Sequence, residues 1–153
     1  MEKTLVILKP SAVQRELVGE VIKRFERKGL RLCGIKMMQL TDDIVSEHYA
    51  HLSDRPYFQR VKDGMMTSPV IVCCWEGIDA VNVVRLMTGS TNCRNAAPGS
   101  IRGDFGISQQ ENIIHASDSV ENAKTELARF FHKDEIFGYK KSSWDFLYAS
   151  DEL

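Results

Sequence analysis

The chain has no apolar run approaching the ~20 residues that a membrane-spanning helix needs. Its stretch Val70-Ile71-Val72-Cys73-Cys74-Trp75 is strand-sized, so no membrane partner is expected. It has no GxxxxGK[ST] loop and no GxGxxG after a strand, so a nucleotide site here has to be built another way. The four cysteines, Cys33, Cys73, Cys74 and Cys93, form no CxxC pair and no cysteine–histidine zinc spacing. They read as small buried hydrophobes in a reducing compartment. No sign of charge dominates. Twenty basic residues against 21 acidic ones leave a net charge of -1, which gives no global nucleic-acid footprint, and nucleic acid is not expected as a main partner. Leu5–Leu8 is too short for a secretory leader, stops at Lys9-Pro10 and lacks a small-residue cleavage site. A cytoplasmic location is expected. The ending Ser150-Asp151-Glu152-Leu153 resembles a retention signal but reads as a solvated tail.

What remains is an ordinary globular composition. The 153 residues are 43% hydrophobic and 27% charged, which fits one domain over 1–153 that buries its own core. Thr4–Lys9 is a continuous apolar strand ended by Pro10, as for a central strand covered on both faces, and a loop follows through Gln14. Leu17, Val21, Ile22 and Phe25 recur at helical spacing up to Gly29 at a C′ position, with Glu20 and Arg24 paired on the exposed side. Leu30–Gln39 reads as a strand with Cys33, Ile35 and Met37 on one face. Thr41-Asp42-Asp43 starts a helix carrying Ile44, Val45, His48 and Leu52, and Asp54-Arg55-Pro56 restarts one with proline near N1. This pair looks like a hairpin inserted at the domain edge.

Pro69–Trp75 is a second central strand turned by Glu76-Gly77. Ala80, Val81, Val84 and Met87 mark a helix ended by Gly89. Ser90–Glu111 lacks periodicity, but Ile101, Phe105 and Ile107 predict an ordered loop packed on the body. Asn112–His115 is a strand and Ser119–Phe131 a helix with Val120, Ala123, Leu127 and Phe131 inward. The aromatic residues of the tail, Phe137 to Tyr148, are expected to clamp back onto the domain. Two βαβ units with helices on one face give a ferredoxin-like βαββαβ α+β sandwich with an antiparallel four-stranded sheet.

The chemistry centres on Asn112-Ile113-Ile114-His115-Ala116-Ser117-Asp118-Ser119. A short strand delivers His115 to a helix start capped by Asp118 or Ser119, with Glu121 completing an acidic capping box after Asp118. Backbone N–H groups at such a start favour anions. Alone, this is as well a structural histidine beside an ordinary cap. Lys9, Arg85 and Arg102 are cations near strand ends, a helix and the long loop, and each alone reads as a solvated charge. Glu126, two turns along the helix, is able to orient the His115 ring and fix its tautomer, with Ser117 bonding the carboxylate in turn. His48 and His51 lie three apart without an HExxH pattern, and read as packing and surface residues. His132 reads as a helix C-terminal residue favoured by the dipole.

The stretch from Asn112 to Ser119 closely resembles the active-site signature of nucleoside diphosphate kinases. So do, in collinear order, Thr4–Lys9-Pro10, Val13-Gln14-Arg15, Leu17-Val18-Gly19-Glu20, Arg24-Phe25-Glu26, His48-Tyr49, Asp54-Arg55-Pro56-Tyr57-Phe58, Trp75-Glu76-Gly77, Gly89, Thr91-Asn92 and Pro98–Phe105. The resemblance spans almost the whole chain. It implies transfer of the γ-phosphoryl group of a nucleoside triphosphate to a nucleoside diphosphate, in a ping-pong reaction through a phosphohistidine that maintains nucleotide pools. His115 is then the nucleophile, oriented by Glu126 with Ser117. Lys9 and Arg102 contact the transferring phosphoryl, and Arg85 and Thr91 hold the inner phosphates. Asn112 and Lys9 reach the ribose, Tyr49 lies beside the histidine and Tyr57 stacks on the base. Mg2+ rides in on the phosphates, with no direct protein ligand and Asp118 in its outer shell. A hexamer is implied.

Several positions depart from the family pattern. Tyr57 stands where phenylalanine is usual, Ser11 where aspartate is common, and Glu16 and Ala116 where glycine is. Gln109 takes an apolar position over the base, and Cys93 takes the place of a common proline in the loop that makes subunit contacts. The alternative reading, a catalytically weak nucleotide-binding or interaction protein of the same fold, predicts loss of His115, Lys9 or Arg102, and all three are present. A ferredoxin-like nucleic-acid regulator predicts a basic excess that the chain lacks.

Overall fold

The computed structural model describes residues 1–153. The elements are β1 (Glu2–Leu8), α1 (Pro10–Gln14), α2 (Val18–Lys28), β2 (Arg31–Met38), α3 (Asp42–His48), α4 (Phe58–Met66), β3 (Val70–Gly77), α5 (Ala80–Thr88), α6 (Ile101–Phe105), β4 (Ile114–Ala116) and α7 (Val120–Phe130). Short 3₁₀ turns lie at Ala50–Leu52, Cys93–Asn95, Lys133–Glu135 and Ser142–Phe146. The sheet has four strands in the order β2-β3-β1-β4, and every pairing is antiparallel. This is the ferredoxin-like sandwich, with α3 and α4 as the inserted hairpin.

The crossover helices of the two βαβ units, α2 and α5, share one face as expected, while α3, α4 and α7 cover the other. Val6, Leu8, Ile71, Cys73 and Trp75 pack against Val21 and Phe25 of α2, Ala80 and Val84 of α5, and Ile101. Leu5, Ile7, Val72 and Cys74, from the same strands, pack against Val45 of α3, Met65 of α4, and Leu127 and Phe130 of α7. Strands apolar on both faces lose stability unless both are covered, at about 25 cal/mol per Å² left in water. The α3–α4 hairpin and α7 supply the second cover. All four cysteines are buried and unpaired.

Local chemistry explains where the elements depart from their expected form. Pro10 occupies the first turn of α1, where its fixed φ favours helix over the expected loop. That turn leads to Glu16 at φ 58, a left-handed conformation that suits the glycine it replaces. A bulge between Leu32 and Gly34 shifts the parity of β2. Cys33 therefore joins the core cluster that holds Cys74, while Ile35 and Met37 are exposed on the opposite side. Pro56 lies ahead of α4 rather than inside its first turn. Within the long loop Ile101 is fully buried, but Ile107 is 76% exposed and does not pack. The loop is tied down instead by Arg24, which reaches Asp104 at 2.7 Å, and by Ser100, whose Oγ caps α6 at Gly103 N–H.

The tail clamps only in part. The Arg31 guanidinium lies 4.6 Å from the Trp144 ring centroid and 5.3 Å from that of Tyr139, while Phe146 is 90% exposed. His132 lies beyond the end of α7 rather than in its last turn: its backbone N–H donates to Glu135 as the start of a new turn.

Candidate active site

β4 begins one residue after a tight reversal. Ile114 N–H donates to the Asn112 carbonyl at 2.8 Å, and Ile113 between them sits at φ 73. A β-branched residue there is strained by an order of 1–3 kcal/mol. The turn moves the strand to Ile114–Ala116, later than predicted, and pairs His115 with Ile7 on β1. The helix that follows starts with Ser119 as its cap, whose Oγ accepts from Asn122 N–H at 3.1 Å. The third helical position is therefore Asn122, so Glu121 completes no capping box. Asp118 accepts from the Asn122 side chain at 2.6 Å, and this bond holds its carboxyl below the usual range.

Seven residues into α7, Glu126 brings Oε2 to 2.5 Å from Nε2 of His115. An ionised carboxylate only accepts, so this contact assigns the proton to Nε2 and leaves the lone pair on Nδ1. Ser117 does not join the pair. Its Oγ is buried without a hydrogen-bond partner, so the expected relay from Ser117 to Glu126 is absent from the structure.

His115 and Glu126 open on a cavity of about 910 Å³. Lys9, Tyr49, Tyr57, Arg85, Thr91, Arg102, Asn112 and Asp118 line it as well, and Ser117 does not. Lys9 is lowered to about 8 by burial and then by Arg102. Arg102 is buried and already forked: Nε donates to the Asn112 carbonyl, Nη1 to Gly89 and Nη2 to Ile114, at 3.1, 3.0 and 2.6 Å. It thereby holds the ends of the loop and of the strained turn while part of its donor set remains for the cavity. The Asn112 amide likewise donates to the Thr91 and Gln109 carbonyls. The Tyr49 hydroxyl is buried and unbonded, and burial raises its pKa. Gln110 on the loop donates to the Arg60 carbonyl on α4, bridging the loop and the hairpin.

Three residues at the site were missed or misread in the sequence. His48 lies ring to ring with His115, centroids 4.5 Å apart. Arg129 Nη1 contacts His48 Nδ1 at 3.1 Å, and Glu47 accepts from Arg129 Nε at 3.0 Å. The available signal was the spacing of Glu126 and Arg129, three apart on one helix flank. Ligand-type atoms of His48, His115 and Glu126 lie within 4.8 Å of one another. Two imidazoles and a carboxylate do not match the all-oxygen shell of Mg2+.

A family model described as nucleoside diphosphate kinase matches residues 2–136. The chain is 65% identical over 153 residues to a nucleoside diphosphate kinase of Parabacteroides distasonis, covering 100% of both. It is 47% identical over 147 residues to nucleoside diphosphate kinase A of Homo sapiens, covering 96% of this chain and 97% of that one. Among solved structures, a halophilic nucleoside diphosphate kinase from Halobacterium salinarum in complex with CDP superposes with a TM-score of 0.95 at 38% identity, covering 97% of this chain and 99% of that one. With its ferredoxin-like sheet, its His115–Glu126 pair and its basic cavity, the chain belongs to the nucleoside diphosphate kinase family and is an enzyme of that class.

Proposed function

We propose that His115 carries the phosphoryl group between two nucleotides. In the first half-reaction the Nδ1 lone pair forms the N–P bond to the γ-phosphorus. The bond from that phosphorus to the bridging oxygen breaks, and a nucleoside diphosphate leaves with its electron pair. In the second, a terminal β-phosphate oxygen of another diphosphate attacks phosphorus and the N–P bond returns its electrons to Nδ1. Glu126 holds the Nε2 proton throughout and stabilises the positive ring of the phosphohistidine. Lys9 and Arg102 stabilise the transferring group, and Arg85 and Thr91 the inner phosphates. Asn112, through its unbonded Oδ1, and Lys9 serve the ribose. Tyr57 stacks on the base, which every base permits through its π-face. Tyr49 closes the side of the histidine.

Asp118 supports a Mg2+ that arrives with the phosphates, since it is a carboxylate on the cavity wall kept ionised by its Asn122 bond. Such an ion keeps several waters and takes few protein ligands. When bound it neutralises phosphate charge. Homo-hexameric assembly and a cytoplasmic location complete the reading; the unpaired cysteines support the latter, and no helix is long and apolar enough to cross a membrane.

The observation that carries the proposal is the 2.5 Å contact between His115 Nε2 and Glu126 at the wall of a basic cavity. Incubation with γ-labelled ATP and Mg2+ tests it. An acid-labile, base-stable label appears on the protein, leaves on addition of a nucleoside diphosphate and is missing from His115→Ala. Undiminished labelling of His115→Ala, or none on the intact protein, overturns it. Light scattering reads the assembly.

A further inference from the structure

We propose that His48 is a positioning residue for His115: a neutral imidazole, locked by Arg129 in the tautomer protonated at Nε2, that braces the His115 ring so that Glu126 keeps Nε2 and Nδ1 stays presented to the cavity. This rests on the reading of His115 as the phosphoryl carrier. The two rings meet edge to face, with centroids 4.5 Å apart and an interplanar angle of 81°. His48 is only 7% exposed, and the rings of Tyr49 and Phe130 box it at 4.7 and 5.1 Å.

Arg129 decides the protonation. A guanidinium has donors only and does not deprotonate. Its Nη1, 3.1 Å from His48 Nδ1, therefore requires that nitrogen to accept. Arg129 is held in turn by Glu47. The groups around His48 are Glu47 on its own helix, Arg129 and Glu126 on α7, His115 on β4, His51 in the following turn and Lys9 after β1. Burial, then His115, Arg129, His51 and Lys9, lower His48 to about 2, so it stays uncharged beside the nucleophile.

A half-turn of the His115 ring about χ2 exchanges Nδ1 with Cδ2 and breaks the Glu126 contact. Glu126 resists that motion from one side, and His48 resists it by filling the space alongside. Without the brace the ring samples poses in which Nδ1 misses the incoming phosphorus, and ring-sized misplacement costs on the order of 100-fold in rate.

Two measurements test this. In protein labelled with ¹⁵N-histidine, His48 shows the pure Nε2–H pattern from pH 5 to pH 9, and Arg129→Gln, at a partly exposed position, mixes in the other tautomer. An Nδ1–H pattern, titration within that range, or no response to Arg129→Gln overturns the proposal. In single-turnover labelling, His48→Ala slows His115 phosphorylation about 10- to 100-fold with nucleotide KM nearly unchanged, and ³¹P spectra show part of the phosphohistidine shifted from Nδ1 to Nε2. His48→Phe, which restores a ring, recovers most of the rate. A wild-type rate and spectrum in His48→Ala, or a loss confined to KM and melting temperature, overturns it. The tautomer measurement needs no turnover. Failure of the phosphohistidine reading shows separately, as missing label in the unmutated protein.

Discussion

Nε2 of His115 and Oε2 of Glu126 meet at 2.5 Å, joining the short edge strand β4 to the second turn of α7. The contact fixes which ring nitrogen is free. Glu126→Gln keeps the shape but loses the obligatory acceptor, so the ring divides between tautomers. Steady-state kinetics are expected to show kcat down about 10- to 100-fold with KM within about twofold, the loss falling on an interaction made with the proposed nucleophile. A change confined to KM would instead assign Glu126 to nucleotide binding.

Lys9 sets a pH limit. Its pKa of about 8, lowered by burial and Arg102, leaves the ammonium charged below pH 8 and progressively neutral above it. Nucleotide KM is therefore expected to rise as pH passes 8, and a profile of Lys9→Arg, which stays charged, lacks that limb. Stability moves the other way. The folded value lies below the unfolded 10.5, so the unfolded state binds more protons between the two values. Folding gains from Lys9 as pH rises from 8 to 10.5.

Arg102 and Arg85 separate stability from affinity. Arg102→Met takes the guanidinium donors from the Gly89 and Ile114 carbonyls and one of two donors from the Asn112 carbonyl, and is expected to lose about 2–3 kcal/mol in a denaturant titration as well as activity. Arg85 is exposed on α5 at the cavity wall. Arg85→Ala is expected to raise nucleotide KM about tenfold while stability stays within about 0.5 kcal/mol.

Gly89 joins α5 to the phosphate-side loop at φ 85, and a Cβ there would collide with Ser100. Gly89→Ala is expected to destabilise the protein by about 1–3 kcal/mol and to lower activity, because its carbonyl anchors Arg102. Unchanged melting and kinetics in this variant would show that the loop start tolerates a side chain.

The sequence by itself determined the element order, the two strands apolar on both sides, the helix stripes closed by Gly29 and Gly89, and the pattern that carries His115, Lys9, Arg102 and Glu126 into one family. These are local or collinear properties, set by periodicity, cap chemistry and residue type. The tertiary structure decided what depends on parity and on distant approach. A single bulged residue between Leu32 and Gly34 moved Cys33 to the face opposite Ile35 and Met37, and periodicity alone does not count such an insertion. The strained turn at Ile113 shifted β4 by a few residues, since its reversal depends on the bonds Arg102 makes from ten residues away in the sequence. Ser117, expected from the family resemblance to orient His115 with Glu126, is buried without a bond. His48 reads as an ordinary core residue of a helix stripe until packing of the hairpin onto α7 brings its ring to His115 and its Nδ1 to Arg129, 81 positions away. Which imidazole is proposed to carry the phosphoryl group was legible in the chain; what packs against that imidazole is a relation between elements that only the folded sheet brings together.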